Sequence, residues 1–169
     1  MKVKLSILYA WLVRTVTLLL PNIPVFMRFR GFLYSLMMKR CGRNFQVTST
    51  AILNSLSGLA VGNDVYIAHN CVLIGLDIEI GDKVLVGPNC IISSANHTFQ
   101  DGAYRFGKSA PRAAKIGSGS WIAGNCSVVG GGVLPPMSVL GAGSVLNKPF
   151  TEIRGLYAGA PAVLIKKLQ

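Results

Sequence analysis

The chain has 169 residues, of which 51% are hydrophobic and only 14% are charged, and its formal net charge is +11. This length suffices for one domain with its own core, and 19 glycines with 8 prolines exclude long helices over most of it. The charge favours an anionic partner, but the chain contains no nucleic-acid reader motif, so we expect anionic lipid or a phosphorylated ligand and no nucleic acid.

The first elements predicted are two helices within a basic, apolar segment that spans residues 1–43. The apolar run Leu5–Leu20 is interrupted by Arg14, closed by two prolines, and too short to cross a bilayer. We expect one helix there and, after a proline turn, a second amphipathic helix near Val25–Arg40. The segment lacks acidic residues and carries the cations Lys2, Lys4, Arg14, Arg28, Arg30, Lys39, Arg40 and Arg43.

Two roles fit this N-terminal segment. Cations mixed with large apolar side chains suit the surface of an anionic membrane, whereas two helices could also simply cap the end of the core that follows. No small-residue cleavage site follows the apolar run. We therefore expect a cytoplasmic protein whose membrane contact, if any, is peripheral and at the inner face.

A repeat of six residues occupies most of the remaining chain. From residue 116 the units are IGSGSW, IAGNCS, VVGGGV, LPPMSV, LGAGSV and LNKPFT, each beginning with an aliphatic residue. Upstream, VGNDVY, IAHNCV, IGDKVL, VGPNCI and ISSANH follow the same pattern, with one residue inserted near Leu73–Leu76. This period is typical of a parallel β-helix, in which three short strands with tight corners make one triangular coil. We assign residues 44–169 to this all-β domain, with Asn70 and Asn89 at corners, where asparagine tolerates unusual backbone angles.

The cysteines and histidines argue against a metal site. Cys71, Cys90 and Cys126 fall at fifth positions of the repeat, where a small residue is needed, so we interpret them as inward packing groups rather than metal ligands or disulfides. Without a secretory signal, a reducing compartment is expected. Cys41 lies outside the repeat and has no assigned role. The chain has only two histidines, too few for a metal-dependent β-helix enzyme such as a carbonic anhydrase.

The repeat is interrupted once, by the polar segment SSANHTFQDGAYRFGKSAPRAAK at residues 93–115. The step from Ile92 to Ile116 is 24 residues, a multiple of six, so the phase of the repeat is kept. A loop that leaves a rigid coil can create a concave site, and His97 stands at its start. An imidazole can accept a proton near neutral pH, so His97 is the candidate general base. His69 is interpreted as an exposed corner residue or a substrate contact.

Three segments resemble the closing coils of the hexapeptide-repeat acyltransferases: IGSGSWIAGNCSVV, VLGAGSVLNKPF and AGAPAVLIKKL. The similarity is to the branch of galactoside and maltose acetyltransferases and bacterial surface-polysaccharide O-acetyltransferases, and it covers roughly Gly58–Leu168. It implies a left-handed parallel β-helix, a homotrimer, and acetyl-CoA as acyl donor with no permanently bound cofactor. The handedness comes from the resemblance alone, because the usual preference for right-handed crossovers would predict the opposite.

The resemblance also implies roles for individual residues. His97 would remove the proton of the acceptor, and the N–H of Gly124 would stabilise the oxyanion. Gly124, Ala142 and Asn147 would contact coenzyme A. Lys148 would meet one of its phosphates as a point charge, or would be a solvated corner lysine.

The acceptor side is less defined. Trp121 would line the wall of the site or pack at a subunit interface. The sugar acetyltransferases carry an acidic residue that contacts the acceptor, and the nearest carboxylate here is Asp77, offset from the best alignment. Either Asp77 binds the acceptor or the acceptor differs.

The sequence thus predicts an O-acetyltransferase that acts on a sugar hydroxyl, in surface-polysaccharide biosynthesis. An N-acetyltransferase of an amino sugar and a non-catalytic trimeric scaffold stay open as alternatives. The acceptor, the position acylated and the acyl length are not specified by these patterns.

Overall fold

The computed structural model describes residues 2–169, which form two helices followed by a stack of short strands. The helices are α1 (Lys2–Thr17) and α2 (Pro24–Ser35), and a single 3-10 turn spans Leu56–Gly58. The strands are β1 (Arg40–Cys41), β2 (Gln46–Val47), β3 (Ile52–Leu53), β4 (Leu59–Val61), β5 (Tyr66–Ile67), β6 (Val72–Ile74), β7 (Ile78–Ile80), β8 (Leu85–Val86), β9 (Ile91–Ser93), β10 (Ala114–Ile116), β11 (Trp121–Ile122), β12 (Ser127–Val128), β13 (Val133–Leu134), β14 (Val139–Leu140), β15 (Val145–Leu146), β16 (Gly155–Gly159) and β17 (Ala162–Lys167).

The strands stack into three parallel sheets that form the sides of a triangular column. Face A contains β1, β4, β7, β10 and β13; face B contains β2, β5, β8, β11, β14, β16 and β17; face C contains β3, β6, β9, β12 and β15. Three consecutive strands make one coil, so coils 1 to 5 run from β1–β3 to β13–β15. Strand β16 begins a sixth coil, and the antiparallel β17 closes it. We name the corners AB, BC and CA after the faces they join.

One aliphatic side chain from each of the strands β4 to β15 points to the axis of the column. Between coils 2 and 5 these side chains are at most 3% exposed: Val61, Ile67, Leu73, Ile80, Val86, Ile92, Ile116, Ile122, Val128, Leu134, Leu140 and Leu146. They are the residues at which the six-residue repeat predicted buried positions. The parallel β-helix predicted from the repeat is therefore confirmed.

The corners use the residue types that a tight turn requires. Asn70 and Asn89 have φ of 58°, as expected for asparagine in the left-handed region, and Asn125 repeats this at the same corner BC with φ of 61°. The residue inserted into the repeat lies at corner CA. There Gly75 has φ of 128°, and a Cβ on it would lie 2.1 Å from the Ser94 hydroxyl. Only glycine fits this position.

The three cysteines of the repeat stack along corner BC inside the column. Cys71, Cys90 and Cys126 are at most 1% exposed, and each thiol donates to a carbonyl of the following coil: the Sγ–O distances are 3.1 Å, 3.0 Å and 3.1 Å. The side-chain interaction with the neighbouring Cys90 thiol, followed by burial, raises the pKa of Cys126. All four cysteines of the described chain, including the half-buried Cys41, are free. The packing role predicted for the three is consistent with these contacts.

The two helices cover the open end of coil 1. Helix α1 packs on the 3-10 turn and on β3, and α2 lies against the free edge of β2. Helix α2 ends at Ser35, earlier than the expected Arg40, because the chain then enters face A. The Lys39 N–H donates to the carbonyls of Leu56 and Leu59 at 3.3 Å and 3.1 Å. Over residues 2–169, neither helix is long and apolar enough to cross a membrane.

A buried guanidinium ties the helices to the first coil. Arg30 of α2 is fully buried and donates to the Thr17 carbonyl at 3.1 Å, the Leu20 carbonyl at 3.2 Å and the Val47 carbonyl at 2.6 Å. It also donates to the Thr17 hydroxyl at 3.1 Å. Because Thr17 is the last residue of α1, the cation lies where the helix dipole is negative. One side chain thus joins the end of α1, α2 and strand β2.

We expect Arg30→Met to lower the free energy of unfolding by about 3 kcal/mol, since it leaves several buried carbonyls without donors. Urea unfolding followed by circular dichroism measures the change. Arg28→Met is the matched control on the same helix. Arg28 is exposed, so its loss should change stability by less than about 0.5 kcal/mol. Equal losses for the two variants would contradict the role given to Arg30.

Candidate active site

The interruption of the repeat forms a hairpin, which we call the finger (residues 94–113). It leaves the column at corner CA, between β9 and β10. His97 pairs with Ser109 in an antiparallel bridge, and the Thr98 N–H donates to the Lys108 carbonyl at 3.2 Å. A turn at Asp101–Gly102, with φ of 51° and 78°, closes the tip. The predicted loop is therefore an ordered excursion with a defined register.

The base of the finger is anchored in the column three residues before His97. Ser94 is fully buried, its hydroxyl accepts the N–H of Asp77 at 3.0 Å, and its carbonyl accepts the N–H of Arg112 at 3.0 Å. The side chain of His97 is exposed to solvent. An anchored backbone with an exposed imidazole allows His97 to meet a ligand from outside the column.

Corner CA brings together four of the residues singled out in the sequence. Asp77 lies where coil 2 passes into coil 3, His97 extends from coil 3, and Asn147 and Lys148 follow β15 of coil 5. Asp77 is half-buried, whereas Asn147 and Lys148 are exposed. The Lys148 Nζ lies 5.4 Å from the centre of the Phe150 ring. This corner therefore presents a carboxylate after coil 2, an imidazole after coil 3, and an amide and an ammonium group after coil 5.

Coil 4 lies between these levels and has glycines at the same corner. A Cβ on Gly130 would lie 2.8 Å from Nδ2 of Asn96, and one on Gly131 would lie 3.1 Å from the guanidinium carbon of Arg112. The glycines thus leave room for the base of the finger. Asn96 and Arg112 belong to this corner although the sequence did not single them out. The run of three glycines at residues 130–132 is the sequence feature that could have predicted this contact, because glycines let another segment of the chain approach coil 4 closely.

The other predicted residues lie elsewhere in the same chain. Gly124 and Ala142 are at corner BC of coils 4 and 5, and Trp121 points outward from face B. The Gly124 carbonyl accepts the Gly143 N–H at 3.0 Å, whereas the Gly124 N–H makes no hydrogen bond to another backbone group between residues 2 and 169. Corners BC and CA are the two ends of face C. Within one chain, the predicted site residues therefore form two separate sets.

His69 lies at corner BC, away from the finger. It is exposed, and its Nδ1 lies 3.4 Å from the Thr50 hydroxyl of the preceding coil. It is therefore a corner residue, as one of its two interpretations had it. In the part of the chain that the structure describes, no group of three or more histidine, cysteine or acidic residues could hold a metal ion.

No family model matches the chain, but curated proteins do. Galactoside O-acetyltransferase of Escherichia coli is 26% identical over 133 residues, and a Saccharomyces cerevisiae protein named as an acetyltransferase is 29% identical over 129 residues. These matches cover 78% and 76% of this chain. The chain spans 65% of the length of each of these two relatives.

Solved structures of similar fold agree with these matches. A maltose O-acetyltransferase from Clostridium difficile superposes with a TM-score of 0.86 at 23% identity, covering 99% of this chain and 88% of the other. A hexapeptide-repeat acetyltransferase from Vibrio cholerae, complexed with acetyl-CoA, superposes with a TM-score of 0.82 at 21% identity, covering 98% and 88%. The chain is thus similar in sequence to acetyltransferases and in fold to hexapeptide-repeat acetyltransferases. The family resemblance stated from the repeat is confirmed.

The close crossing of the two finger strands gives a test of its register. A Cβ on Gly107 would lie 1.7 Å from the Thr98 carbonyl oxygen, so we expect Gly107→Ala to separate the strands. Hydrogen exchange at the Thr98 and Ala110 amides, measured by mass spectrometry, should rise at least ~10-fold.

Gly102→Ala is the control for this test. Its added Cβ meets no atom within 4 Å at the tip, although φ of 78° carries a small backbone cost. Exchange at the base of the finger should stay at the wild-type rate. If the two variants exchanged alike, the register of the finger would be wrong.

Proposed function

We propose that this protein is an acetyl-CoA-dependent O-acetyltransferase that transfers an acyl group to a sugar hydroxyl, in surface-polysaccharide biosynthesis. The observation that carries the proposal is the anchored finger, which presents His97 at the solvent-exposed edge of face C. The relatives add support, since one is a galactoside O-acetyltransferase and a neighbour in fold is a complex with acetyl-CoA. A polysialic-acid-specific acetyltransferase, with a TM-score of 0.58, supports a polymeric acceptor.

In the proposed reaction, the His97 imidazole takes the proton of the acceptor hydroxyl as the oxygen attacks the thioester carbon. A C–O bond forms, and the carbonyl electron pair moves onto oxygen. The Gly124 N–H, which has no backbone partner within residues 2–169, is the candidate donor to this oxyanion. The C–S bond then breaks, and the imidazolium returns its proton to the leaving thiolate. The products are the acetyl ester and free coenzyme A, with no covalent enzyme intermediate.

For the donor, we assign the contacts to residues of coils 4 and 5. Gly124 and Ala142 have small side chains at corner BC, so an extended pantetheine arm could approach their backbone closely. Asn147 and Lys148 are exposed polar groups at corner CA. The Lys148 ammonium would meet a phosphate of coenzyme A as a point charge.

For the acceptor, we assign Asp77 and Trp121. Asp77 is tied through its N–H to the anchor of the finger, so its carboxylate belongs to the corner from which His97 extends. Carboxylates are good acceptors for sugar hydroxyl groups. The Trp121 ring is 47% exposed on face B, and such a surface suits either the apolar face of a sugar ring or a neighbouring subunit.

We also propose a homotrimer, because the two sets of site residues need a second chain to meet. Faces B and C carry ladders of outward apolar side chains, whereas face A carries the ion pair Lys115–Glu79 at 3.1 Å. The outward residues in register are Gln46, Tyr66, Leu85, Trp121, Val139 and Leu156 on face B, and Ile52, Val72, Ile91, Ser127 and Val145 on face C. Both ladders are therefore apolar except at Gln46 and Ser127. Apolar columns of this kind favour burial against another copy, and cyclic symmetry repeats one contact around the axis.

The proposal extends to domain organisation and location. Residues 1–43 would be a helical segment that caps the column or meets a membrane, and residues 44–169 would form the acyltransferase domain. A cytoplasmic location, peripheral to the inner membrane face, is supported by four free thiols in the described chain and by the basic character of the helices.

A second candidate is N-acetylation of an amino sugar. An N-acyltransferase from Bacillus cereus shares the fold with a TM-score of 0.63, and an amine acceptor would need the same proton transfer. A non-catalytic scaffold is the remaining alternative, and the ordered finger with its exposed imidazole argues against it.

We expect His97→Ala to lower turnover of acetyl-CoA by ~10²–10⁴-fold, with assembly and donor binding unchanged, because only the proton acceptor is removed. Acetyl transfer from labelled acetyl-CoA measures the rate, and calorimetry measures donor binding. His69→Ala is the matched control, since it removes the other histidine, at corner BC, and should retain the wild-type rate. A His97→Ala rate near that of the wild type would remove His97 from proton transfer.

The acceptor class is tested by a panel of nucleotide sugars, amino sugars and lipid-linked oligosaccharides, with products read by mass spectrometry. We expect ester products on hydroxyl acceptors, which mild alkali releases. Alkali-stable amides as the main product would favour the N-acetyltransferase instead. No transfer to any member of the panel would favour the scaffold.

A further inference from the structure

Helix α1 carries its large apolar side chains on the side away from the column. The residues that it buries are small or β-branched: Ser6, Ala10, Val13 and Thr17. On the opposite side, Leu5, Leu8, Leu12 and Val16 follow one another at helical spacing, and each is at least 50% exposed. A helix that only capped the core would bury its large residues and expose its polar ones.

Helix α2 also carries large apolar side chains on its outer side, although the side that it packs against the column includes large residues. It buries Met27, Arg30, Gly31 and Tyr34 against the column. Its outer side shows Val25, Phe29 and Phe32, and the same line continues to Leu36, all of them between 47% and 61% exposed. Since α1 and α2 pack against each other, the two outer stripes make one surface, which we call the helical face.

The segment that carries the helical face contains cations and no acidic residue. The first acidic residue of the chain is Asp64, which lies beyond both helices. Exposed cations occur along the same segment: Lys2, Lys4, Arg28, Lys39, Arg40 and Arg43. The ion pairs found between residues 2 and 169 are Lys115–Glu79 and Lys167–Glu152, and neither involves this segment.

These features distinguish between the candidates that could cover the helical face. A second copy of the chain would bring the same cations opposite one another, which is unfavourable. A bilayer with anionic lipids offers a hydrocarbon boundary for the apolar stripes and negative headgroups for the exposed cations of the segment. Trp11, Phe29 and Phe32 are aromatic residues of the kind that occupy this boundary region.

We infer that the helical face docks on an anionic lipid bilayer, with both helices lying in the plane of the interface. The inference deepens the proposed function and rests on it in one respect, since it makes the acceptor a glycan carried by a membrane lipid. The helix layer is about 10 Å thick and coils 1 to 3 span about 10 Å, so the level of His97 lies about 20 Å from the apolar surface. The sugar that is acetylated therefore stands away from the headgroups.

The proposed homotrimer would strengthen this contact. If faces B and C pair around a cyclic axis that runs along the columns, the three helical faces lie at the same end of the assembly. Three weak contacts would then act together on one bilayer, and each later contact would form at high effective concentration.

The test is flotation of the full chain with vesicles of phosphatidylcholine alone or with about one third phosphatidylglycerol. We expect binding to the anionic vesicles only, weakened when salt rises from ~0.05 M to ~0.5 M. Leu8→Gln/Phe32→Gln should lower the partition coefficient at least ~10-fold, since two apolar anchors are lost. Ile153→Gln/Ile165→Gln, which removes two apolar residues that are 48% and 55% exposed and lie outside the helical face, should bind as the wild type does.

Several outcomes would overturn the inference. They are no flotation with anionic vesicles, equal flotation with neutral ones, and equal loss for the two double variants when thermal unfolding shows both to be folded. Self-association of the chain that only Leu8→Gln/Phe32→Gln abolishes, without vesicle binding, would point to a second copy instead.

The His97→Ala variant separates this inference from the proposed function. It should float with anionic vesicles as the wild type does, although its acetyl transfer is ~10²–10⁴-fold slower. If the wild type bound anionic vesicles but transferred no acetyl group to any acceptor, the proposed function would be wrong and the membrane contact would be supported. If it acetylated a soluble sugar but did not bind vesicles, the membrane contact would be wrong and the proposed function would be supported.

Discussion

The structure depends on one steric constraint: each of coils 2 to 5 places three aliphatic side chains on a common axis. Ile122 and its equivalents are fully buried, and neighbouring coils pair strand with strand, so each coil completes the core of the next. This leaves the opposite side chain of each strand free to vary. The outer surface can therefore differ from face to face, as apolar faces B and C and charged face A show.

The end of such a column needs a cover, because the terminal coil would otherwise expose its core side chains and its unpaired strand edges to water. The helices solve this at coil 1, where Ala10, Val13 and Tyr34 join the hydrophobic core. Since these residues close the core at that end, the exposed large apolar residues of the helices are not needed for that purpose. Their position on the outside indicates that the helices, besides capping the column, also contact another surface.

Much of the column could be predicted from residues 61–146. The aliphatic residues recur there every six positions, and the single inserted residue shifts the repeat only once. The predicted domain, residues 44–169, includes most of coil 1, but no six-residue units were identified there, because Thr48–Ser49–Thr50 departs from the usual corner residues and an 8-residue step separates Leu53 from Val61. The types of residue at the candidate site could be predicted from the sequence, but their positions relative to one another could not. Which corner holds His97 or Gly124 depends on how the coils stack, and a single chain's sequence does not specify the contacts between copies.

The attachment of the cap has a consequence for how the protein responds to its surroundings. Arg30 is held by carbonyl and hydroxyl oxygens rather than by a carboxylate, and it is shut away from water. Mobile ions in solution screen exposed charges strongly and enclosed ones weakly. A change in ionic strength can therefore govern where the protein resides while leaving its architecture untouched.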